Sequence, residues 1–235
     1  MLCKIADLLI EVPATGDMRS RCKDYLTTEN NSADIIIRAG CYKPEKYPTF
    51  SEAEVAYVES GRQFCNALPN FNGFYLHSSA VEFEGRAYLF SGQCGIGKST
   101  HTRLWQEIFG NAAVVFNDDK PALRCINGTW YAYGTPWCGK DSINQNKKVK
   151  LGGICFLRRG EKNSIRCLDA LAATTNILSQ TTRRFKNVQK LDLLLSHISD
   201  MVEKIPMFEL FNLPVPHAAR LSYETMKRAA EEAGL

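Results

Sequence analysis

The segment 73–92 contains two short apolar runs that are separated by a polar break at Glu84-Gly85. Two such runs around a turn dipeptide predict a β-hairpin. The segment that follows, KSTHTRLWQEIFG, has the periodicity of a helix that ends near Gly110 and buries one face, formed by Leu104, Trp105, Ile108 and Phe109. The pattern therefore predicts two strands, a glycine-containing loop and a helix, in that order.

The rest of the chain also alternates between strand and helix patterns. Residues 51–68 predict a helix with Ser51 as its cap and Glu54 three residues later. Asn127-Gly128 separates two alternating runs and indicates a second hairpin. Further strands are predicted at AAVVF, GGICFL and MFELFNL, two helices within 169–204, and a last helix in HAARLSYETMKRAAEEAG. We therefore expect an α/β fold with a mixed sheet and a helical C-terminal part, because hairpins flank the glycine loop on both sides.

The composition fits a water-soluble globular protein. Apolar residues make up 45% of the 235 residues, charged residues 23%, and the net charge is +4. This charge is too small to indicate a nucleic-acid partner, and the N-terminal apolar run is too short to predict a signal peptide or a membrane span. Nine cysteines without a CxxC pair are most simply read as reduced thiols in the cytoplasm.

The glycine loop carries the sequence SGQCGIGKST, which fits the pattern G-x-x-x-x-G-K-[ST]. Glycines allow backbone N–H groups to approach phosphate oxygens, and the following helix N-terminus adds partial positive charge. A lysine after the last glycine would neutralise phosphate charge, and a serine hydroxyl would join the shell of Mg²⁺. The predicted nucleotide-binding residues are Gly92, Gly95, Ile96, Gly97, Lys98, Ser99 and Thr100. The alternative is a glycine-rich turn that only caps a helix.

Two adjacent carboxylates follow the strand predicted after the glycine loop, in the segment VVFNDDK. Because neighbouring side chains of a strand point to opposite sides, Asp118 and Asp119 can face a metal ion and a substrate separately. Together with Ser99 they are the predicted Mg²⁺ ligands. The alternative is a solvated turn, since Asn-Asp-Asp-Lys-Pro also has good turn chemistry.

Two further features are candidates for a role at the site. His77 lies just before the glycine loop, on the predicted strand, where a partly buried structural histidine is the alternative. The segment GTPWCGKDSIN places Trp137 and Lys140 around glycines, and we expect it to close over an anionic substrate. An ordinary surface loop is the alternative there.

The residues LHSSAVEFEGRAYLFSGQCGIGKST and FNDDK together resemble the catalytic domain of the HPr kinase/phosphorylase family. The same core is similar to that of ATP-dependent phosphoenolpyruvate carboxykinase, and HTRLW, NDDKPA and YGTPW resemble small bacterial HPr-kinase-like proteins. The resemblance implies a P-loop catalytic domain over residues 71–235. Residues 1–70 do not resemble the family's N-terminal domain and are expected to form an extension packed on the core.

The resemblance also implies an activity. It makes the chain an ATP- and Mg²⁺-dependent kinase that phosphorylates a hydroxyl of a protein, peptide or small molecule. Lys98, His77, Asp118 and Asp119 then become catalytic candidates, one Asp acting as base and the other helping to hold the metal, in an order left open. The alternatives are a nucleotide-binding regulatory module without transfer and a carboxykinase-like enzyme. A homo-oligomer is compatible with either.

Overall fold

A computed structural model describes residues 1–15, 17–40, 47–139, 141–182, 185 and 187–235. The described residues form a nine-stranded mixed sheet, a separate three-stranded sheet near the N-terminus, and helices around both. Among these helices none is long and apolar enough to cross a bilayer. The predicted mixed α/β fold with a helical C-terminal part is confirmed.

The large sheet has the strand order β4-β8-β9-β10-β6-β5-β7, with β12 and β11 branching from β10. Its strands are β4 (Gly73–Tyr75), β5 (Ser78–Phe83), β6 (Arg86–Ser91), β7 (Val114–Asp119), β8 (Ala122–Ile126), β9 (Thr129–Tyr133), β10 (Lys148–Arg159), β11 (Ser164–Cys167) and β12 (Met207–Asn212). The long strand β10 is parallel to β6 and β12, and antiparallel to β9. The other pairs are antiparallel, so the sheet is mixed as the hairpins predict.

The N-terminal sheet contains β1 (Leu2–Ile5), β2 (Leu8–Glu11) and β3 (Ile35–Ile36). The helices are α1 (Met18–Arg21), α2 (Glu52–Ala67), α3 (Lys98–Phe109), α4 (Ala170–Ser179), α5 (Val188–Lys204) and α6 (Pro216–Glu232). The start of α2 is determined by a complete capping box between Ser51 and Glu54, as predicted.

Three apolar clusters hold these elements together. Helices α4 and α5 pack on one face of the large sheet, against side chains such as Leu89 and Phe156. Helices α3 and α6 cover the opposite face, where Phe90 and Trp105 lie. The N-terminal sheet, α1 and α2 form the third cluster with Trp137 and Tyr133 of the large-sheet region. The expected boundary at residue 70 stays a prediction.

Two local predictions need correction. His77 does not lie on a strand: the chain bends at this residue between β4 and β5. The backbone N–H of His77 instead donates to the carbonyl of Gln180 at 2.9 Å. The strand β11 was not predicted, because it is short, mostly exposed and lacks a clear apolar alternation. The bend places the His77 side chain beside the ends of β6 and β7 rather than in the sheet.

Candidate active site

The glycine loop (residues 92–97) connects β6 to α3. Gly95 and Gly97 have φ angles of +75° and +106°, a region that side chains with a Cβ rarely adopt. A Cβ added at either glycine would meet nothing within 4 Å. The loop is therefore shaped by backbone conformation and is open on the side where a ligand would approach.

The helix that follows begins without a side-chain cap. Gly97 is the N-cap residue of α3 and makes no side-chain cap hydrogen bond. The first N–H groups of a helix have no partner within the helix, so this end is suited to an anion. Lys98 donates its ammonium to the carbonyls of Gly92 and Gln93, at 3.2 and 3.4 Å. Burial lowers the pKa of Lys98, although nearby acidic groups that include Asp118 and Asp119 oppose it.

Ser99 and Asp118 form a direct pair across the site. The Ser99 hydroxyl donates to Oδ2 of Asp118 at 2.8 Å, and the Asp118 side chain is buried. Strand β7 brings Asp118 to this position because β7 pairs with β5, which itself pairs with β6 before the glycine loop. The hydroxyl and carboxylate are hard oxygen ligands, the kind that Mg²⁺ prefers beside phosphates.

Asp119 points away from this pair, towards the bend at His77. Its Oδ1 lies 3.3 Å from Nε2 of His77, and its Oδ2 accepts from the Lys120 ammonium. Burial and the nearby Lys98 ammonium lower the pKa of His77, although the Asp119 carboxylate opposes them. The ring is therefore biased towards its neutral form.

The backbone of Asp119 is also unusual. Its φ angle is +128°, a conformation that costs a residue with a side chain about 1–3 kcal/mol. An isolated bridge to Cys138 holds the residue from one side, and the pairing with Ser78 on β5 holds it from the other. The two neighbouring carboxylates face different groups: Asp118 contacts Ser99, whereas Asp119 contacts His77 and Lys120.

Three adjoining cavities surround these residues. The loop cavity has a volume of about 570 Å³ and is lined by His77, Gly95, Gly97, Lys98, Ser99, Thr100, Asp118 and Asp119, among others. The Gln180 cavity, of about 280 Å³, shares His77 and Asp119 with it and adds Lys120 and residues 179–181. The His101 cavity, of about 400 Å³, shares Gly97 and Thr100 with the loop cavity.

Most of the predicted site residues therefore meet at one place, the loop cavity. Gly92 and Ile96 are not among its described lining residues. The Gly92 carbonyl holds Lys98, whereas Ile96 lines the His101 cavity and its N–H donates to Gln93. Lys120 and the segment 179–181 were missed by the sequence analysis, and the latter carries no local signal. Thr181 reaches the site because its hydroxyl donates to the Tyr75 carbonyl at 2.6 Å.

The expectation of a closing aromatic segment is wrong for Trp137. Its side chain is 1% exposed, stacks on Phe64 with ring centroids 4.5 Å apart, and donates to the Ser60 hydroxyl at 3.0 Å. A Cβ added at Gly134 would lie 1.9 Å from the carbonyl oxygen of Gln145, so this glycine permits close packing and not a hinge. Lys140 lies outside the described residues. We call residues 134–139 the anchored loop.

A bound magnesium ion would depend on few protein ligands. Within the described residues, no cluster of three or more His, Cys, Asp or Glu side chains is arranged to hold a metal. Ser99 and Asp118 nevertheless fit Mg²⁺, which usually takes one or two protein oxygens and completes its shell with phosphates and water. The donor set thus fits a metal that arrives with a phosphate ligand.

Comparisons with known proteins find a similarity in fold to solved structures. No family model matches the sequence. No curated protein matches it. Among solved structures, the chain is similar to the Hpr(Ser) kinase/phosphatase from Coxiella burnetii, with 12% sequence identity and a TM-score of 0.37. The alignment covers 67% of this chain and 95% of that chain. Since a fold can host many functions, the side chains of the site are what indicate the chemistry of this protein.

Proposed function

We propose that this protein is an ATP- and Mg²⁺-dependent phosphotransferase that acts on a hydroxyl group. One observation carries the proposal: the glycine loop, Lys98 and the Ser99–Asp118 pair line the same cavity, and Asp119 stands where that cavity meets a second one. Phosphoryl transfer needs such positioning and charge stabilisation more than covalent chemistry by the protein.

The loop cavity would receive the phosphates of the nucleotide. The uncapped N–H groups of α3 and the Lys98 ammonium supply its positive charge. Ser99 and Asp118 would hold Mg²⁺ through the hydroxyl and the carboxylate. When bound, ATP supplies the phosphoryl group and the magnesium ion offsets phosphate charge. The half-buried ammonium of Lys98 would then exchange two carbonyl partners for an anion.

Asp119 is the better candidate for the base. Asp118 already accepts the Ser99 hydroxyl, whereas Asp119 lines both the loop cavity and the Gln180 cavity. The acceptor hydroxyl would enter from the Gln180 cavity. Its proton would pass to the Asp119 carboxylate as its oxygen bonds to the γ-phosphorus, while the bond from that phosphorus to the β–γ bridging oxygen breaks and ADP leaves. A positioned base of this kind contributes a rate factor of about 10²–10⁴. The acceptor would be a protein or peptide side chain or a small molecule.

The proposal is tested first by nucleotide binding. Calorimetry with Mg²⁺-ATP should show binding that Lys98→Ala weakens at least about tenfold, because a partly buried cation is lost from the phosphate site. Lys4→Ala is the matched control, since Lys4 is exposed and pairs with Glu29 away from the site. Absence of ATP and ADP binding to the wild-type protein would refute the proposal.

Transfer is tested separately, with γ-labelled ATP and panels of peptides, small proteins and polyols. We expect acceptor labelling to fall by about 10²–10⁴ in Asp119→Asn while ATP affinity is nearly retained. If the wild-type protein binds ATP tightly but labels no acceptor and releases no ADP, the chain is instead a nucleotide-binding module without transfer.

A further inference from the structure

The Gln180 cavity contains an exposed hydroxyl group of the chain itself. Ser179, the last residue of α4, is one of its lining residues, together with Asp119 and Lys120. Ser179 is exposed, so its side chain is open to a ligand. The cavity that would receive an acceptor hydroxyl therefore already has one in its wall.

The two residues after Ser179 fasten the end of α4 to the site. The backbone N–H of His77 donates to the Gln180 carbonyl at 2.9 Å. The Thr181 hydroxyl donates to the Tyr75 carbonyl at 2.6 Å. Because both residues are tied to the chain around the bend at His77, the end of α4 is fixed next to this bend.

A short series of contacts leads from Ser179 to the Asp119 carboxylate. Consecutive Cα atoms are about 3.8 Å apart, so Ser179 directly adjoins the residue whose carbonyl accepts from His77. Nε2 of His77 in turn lies 3.3 Å from Oδ1 of Asp119. Ser179 and Asp119 also line the same cavity of about 280 Å³. The hydroxyl and the base of the proposed function are thus close neighbours.

The hydrogen bonds of the Ser179 hydroxyl leave it free to turn towards the cavity. It accepts from Nε2 of Gln180 at 3.2 Å and donates to the Asn176 carbonyl at 2.7 Å. Both partners belong to the end of the same helix, and neither ties the side chain to another element. Rotation about one side-chain torsion would exchange the Asn176 carbonyl for the Asp119 carboxylate.

Another hydroxyl in the wall of this cavity is less suited to accept a phosphoryl group. Thr181 is buried, and its proton is used on the Tyr75 carbonyl. Releasing that proton would detach the segment from the strand before His77. Ser179 can lose its bond to the helix carbonyl without such a change.

The relation between the two cavities also suits transfer to Ser179. His77 and Asp119 line both the loop cavity and the Gln180 cavity, so the two meet at this wall. Transfer needs the accepting oxygen, the phosphorus and the leaving oxygen roughly in line. With the nucleotide in the loop cavity and its terminal phosphate at the shared wall, Ser179 would approach that phosphate from the Gln180 cavity.

We propose that Ser179 is an autophosphorylation site, at which Mg²⁺-ATP in the loop cavity phosphorylates the hydroxyl of the same chain. The inference rests on the proposed function, since it uses the same phosphate site and the same base. The Ser179 oxygen bonds to the γ-phosphorus, the bond from that phosphorus to the β–γ bridging oxygen breaks, and ADP leaves. The hydroxyl proton passes to the Asp119 carboxylate. The phosphoserine formed shares the cavity with Lys120, whose ammonium offsets part of its charge.

The test needs no external acceptor. Mass spectrometry of the wild-type protein, intact and as peptides, locates phosphate before and after incubation with Mg²⁺-ATP. We expect one phosphate per chain on Ser179, with a rate constant that is independent of protein concentration because acceptor and nucleotide occupy one molecule. Asp119→Asn should react about 10²–10⁴ times more slowly, and wild-type protein mixed with it should not phosphorylate it.

Variants of α4 identify the hydroxyl. Ser179→Ala should take up no phosphate, whereas Ser179→Thr should keep a slower reaction because it retains a hydroxyl. Thr175→Ala is the matched control, since Thr175 is exposed one turn earlier on α4 and is not among the lining residues of the Gln180 cavity. It should be phosphorylated at the wild-type rate. Thermal unfolding verifies that each variant is folded.

Phosphate on Tyr75, Thr181 or a residue outside the cavity, or a rate that rises with protein concentration, would overturn the inference. Phosphohistidine is lost in acid and phosphoserine is retained, so acid treatment distinguishes a label on His77. Protein that binds ATP but carries no phosphate on Ser179 would also overturn it, and release of ADP or labelling of an external acceptor would then leave the proposed function intact. Failure of the wild-type protein to bind ATP or ADP would instead refute the proposed function.

Discussion

The glycine loop at residues 92–97 and the anchored loop at residues 134–139 both approach the carboxylates at the end of β7. In the first, Gly95 and Gly97 adopt positive φ angles with open space where a Cβ would be. In the second, Gly134 has no positive φ, and a Cβ there would overlap the Gln145 carbonyl oxygen. Glycine thus permits an exposed backbone conformation in one loop and close backbone packing in the other.

These two uses of glycine give the loops different roles at the site. The glycine loop is open to a ligand: the helix after it has no side-chain cap, and the Lys98 ammonium donates to backbone carbonyls. The anchored loop is fixed by the buried side chain of its own Trp137. It also supports the two carboxylates, because Gly139 packs on the Asp118 carbonyl and Cys138 forms a backbone bridge to Asp119. We therefore expect mutations in the first loop to change ligand affinity and mutations in the second to change stability.

The largest expected effect comes from Trp137→Ala. Removing this buried ring leaves a cavity beside Phe64 and leaves the Ser60 hydroxyl without its donor. We expect the free energy of unfolding to fall by about 3–5 kcal/mol. Urea denaturation measures it, with Trp137→Phe as the milder control. An unchanged denaturation midpoint would show that the ring is not an anchor and would restore the idea of a closing segment.

Two glycine substitutions, one in each loop, test the comparison of the loops more directly. Gly134→Ala should destabilise by about 1–3 kcal/mol or more, because the new methyl group meets backbone that must move. The folded Gly134→Ala protein should bind ATP with the affinity of wild type. Gly97→Ala should cost about 1–2 kcal/mol from its positive φ and should also weaken ATP binding at least about tenfold, since loop amides are displaced.

Gly128→Ala is the control for backbone strain alone. Gly128 lies in the turn between β8 and β9, has a φ of +81°, and also has open space at its Cβ position. It should match Gly97→Ala in lost stability but bind ATP as wild type does. Equal effects of Gly97→Ala and Gly128→Ala on ATP binding would contradict a ligand role for the glycine loop.

The two loops differ in how far sequence could predict them. The glycine loop is recognisable because its signal is local: a strand, a fixed spacing of glycines, a lysine and a helix within some twenty residues. The hairpin at Asn127-Gly128 and the capping box at Ser51 are confirmed for the same reason. Local chemistry determined each of these elements, and tertiary packing did not override it.

Other features depend on contacts that a sequence pattern cannot show. The Trp137 side chain is buried by Ser60 and Phe64, more than 70 residues earlier in the chain. The N-terminal hairpin turns at Ala6-Asp7, both with positive φ, although neither residue gives a standard glycine or asparagine turn signal. The role of Asp119 between two cavities follows only from the pairing of β7 with β5.

Arg21 links the N-terminal region to the anchored loop and allows a smaller test. Its guanidinium donates to the carbonyls of Cys138 and Gly139, at 3.0 and 3.5 Å, and lies 4.6 Å from the centre of the Tyr57 ring. We expect Arg21→Ala to cost about 1.5 kcal/mol in unfolding free energy. Because these carbonyls adjoin Asp118 and Asp119, the rate of transfer should fall while the dissociation constant for ATP stays the same.

Two controls accompany this variant. Arg19→Ala changes an exposed arginine of the same short helix and should stay within about 0.5 kcal/mol of wild type. Arg21→Lys keeps the charge but not the forked geometry, so it should recover part of the lost rate. An Arg21→Ala protein with wild-type kinetics would show that the anchored loop does not position the carboxylates.

The smallest expected effect has the opposite sign and lies where the two loops meet. Asp119 holds a φ of +128°, which costs about 1–3 kcal/mol in a residue with a Cβ. Asp119→Gly releases this strain. Two losses oppose the gain: the greater conformational entropy of the unfolded chain costs about 0.5–1 kcal/mol of stability. The lost ion pairs with His77 and Lys120, which are partly exposed, cost about 0–1 kcal/mol together.

Taken at the middle of their ranges, these opposing contributions leave Asp119→Gly about 1 kcal/mol more stable than wild type, whereas its transfer activity should be lost with the base. Asp118→Gly is the matched comparison. Asp118 is not among the residues with a positive φ, is buried and accepts the Ser99 hydroxyl, so its replacement should destabilise the protein. Urea denaturation of both variants decides the matter. If both variants lose equal stability, the Asp119 backbone is not strained. The orientation of the Asp119 carboxylate then costs the protein no stability.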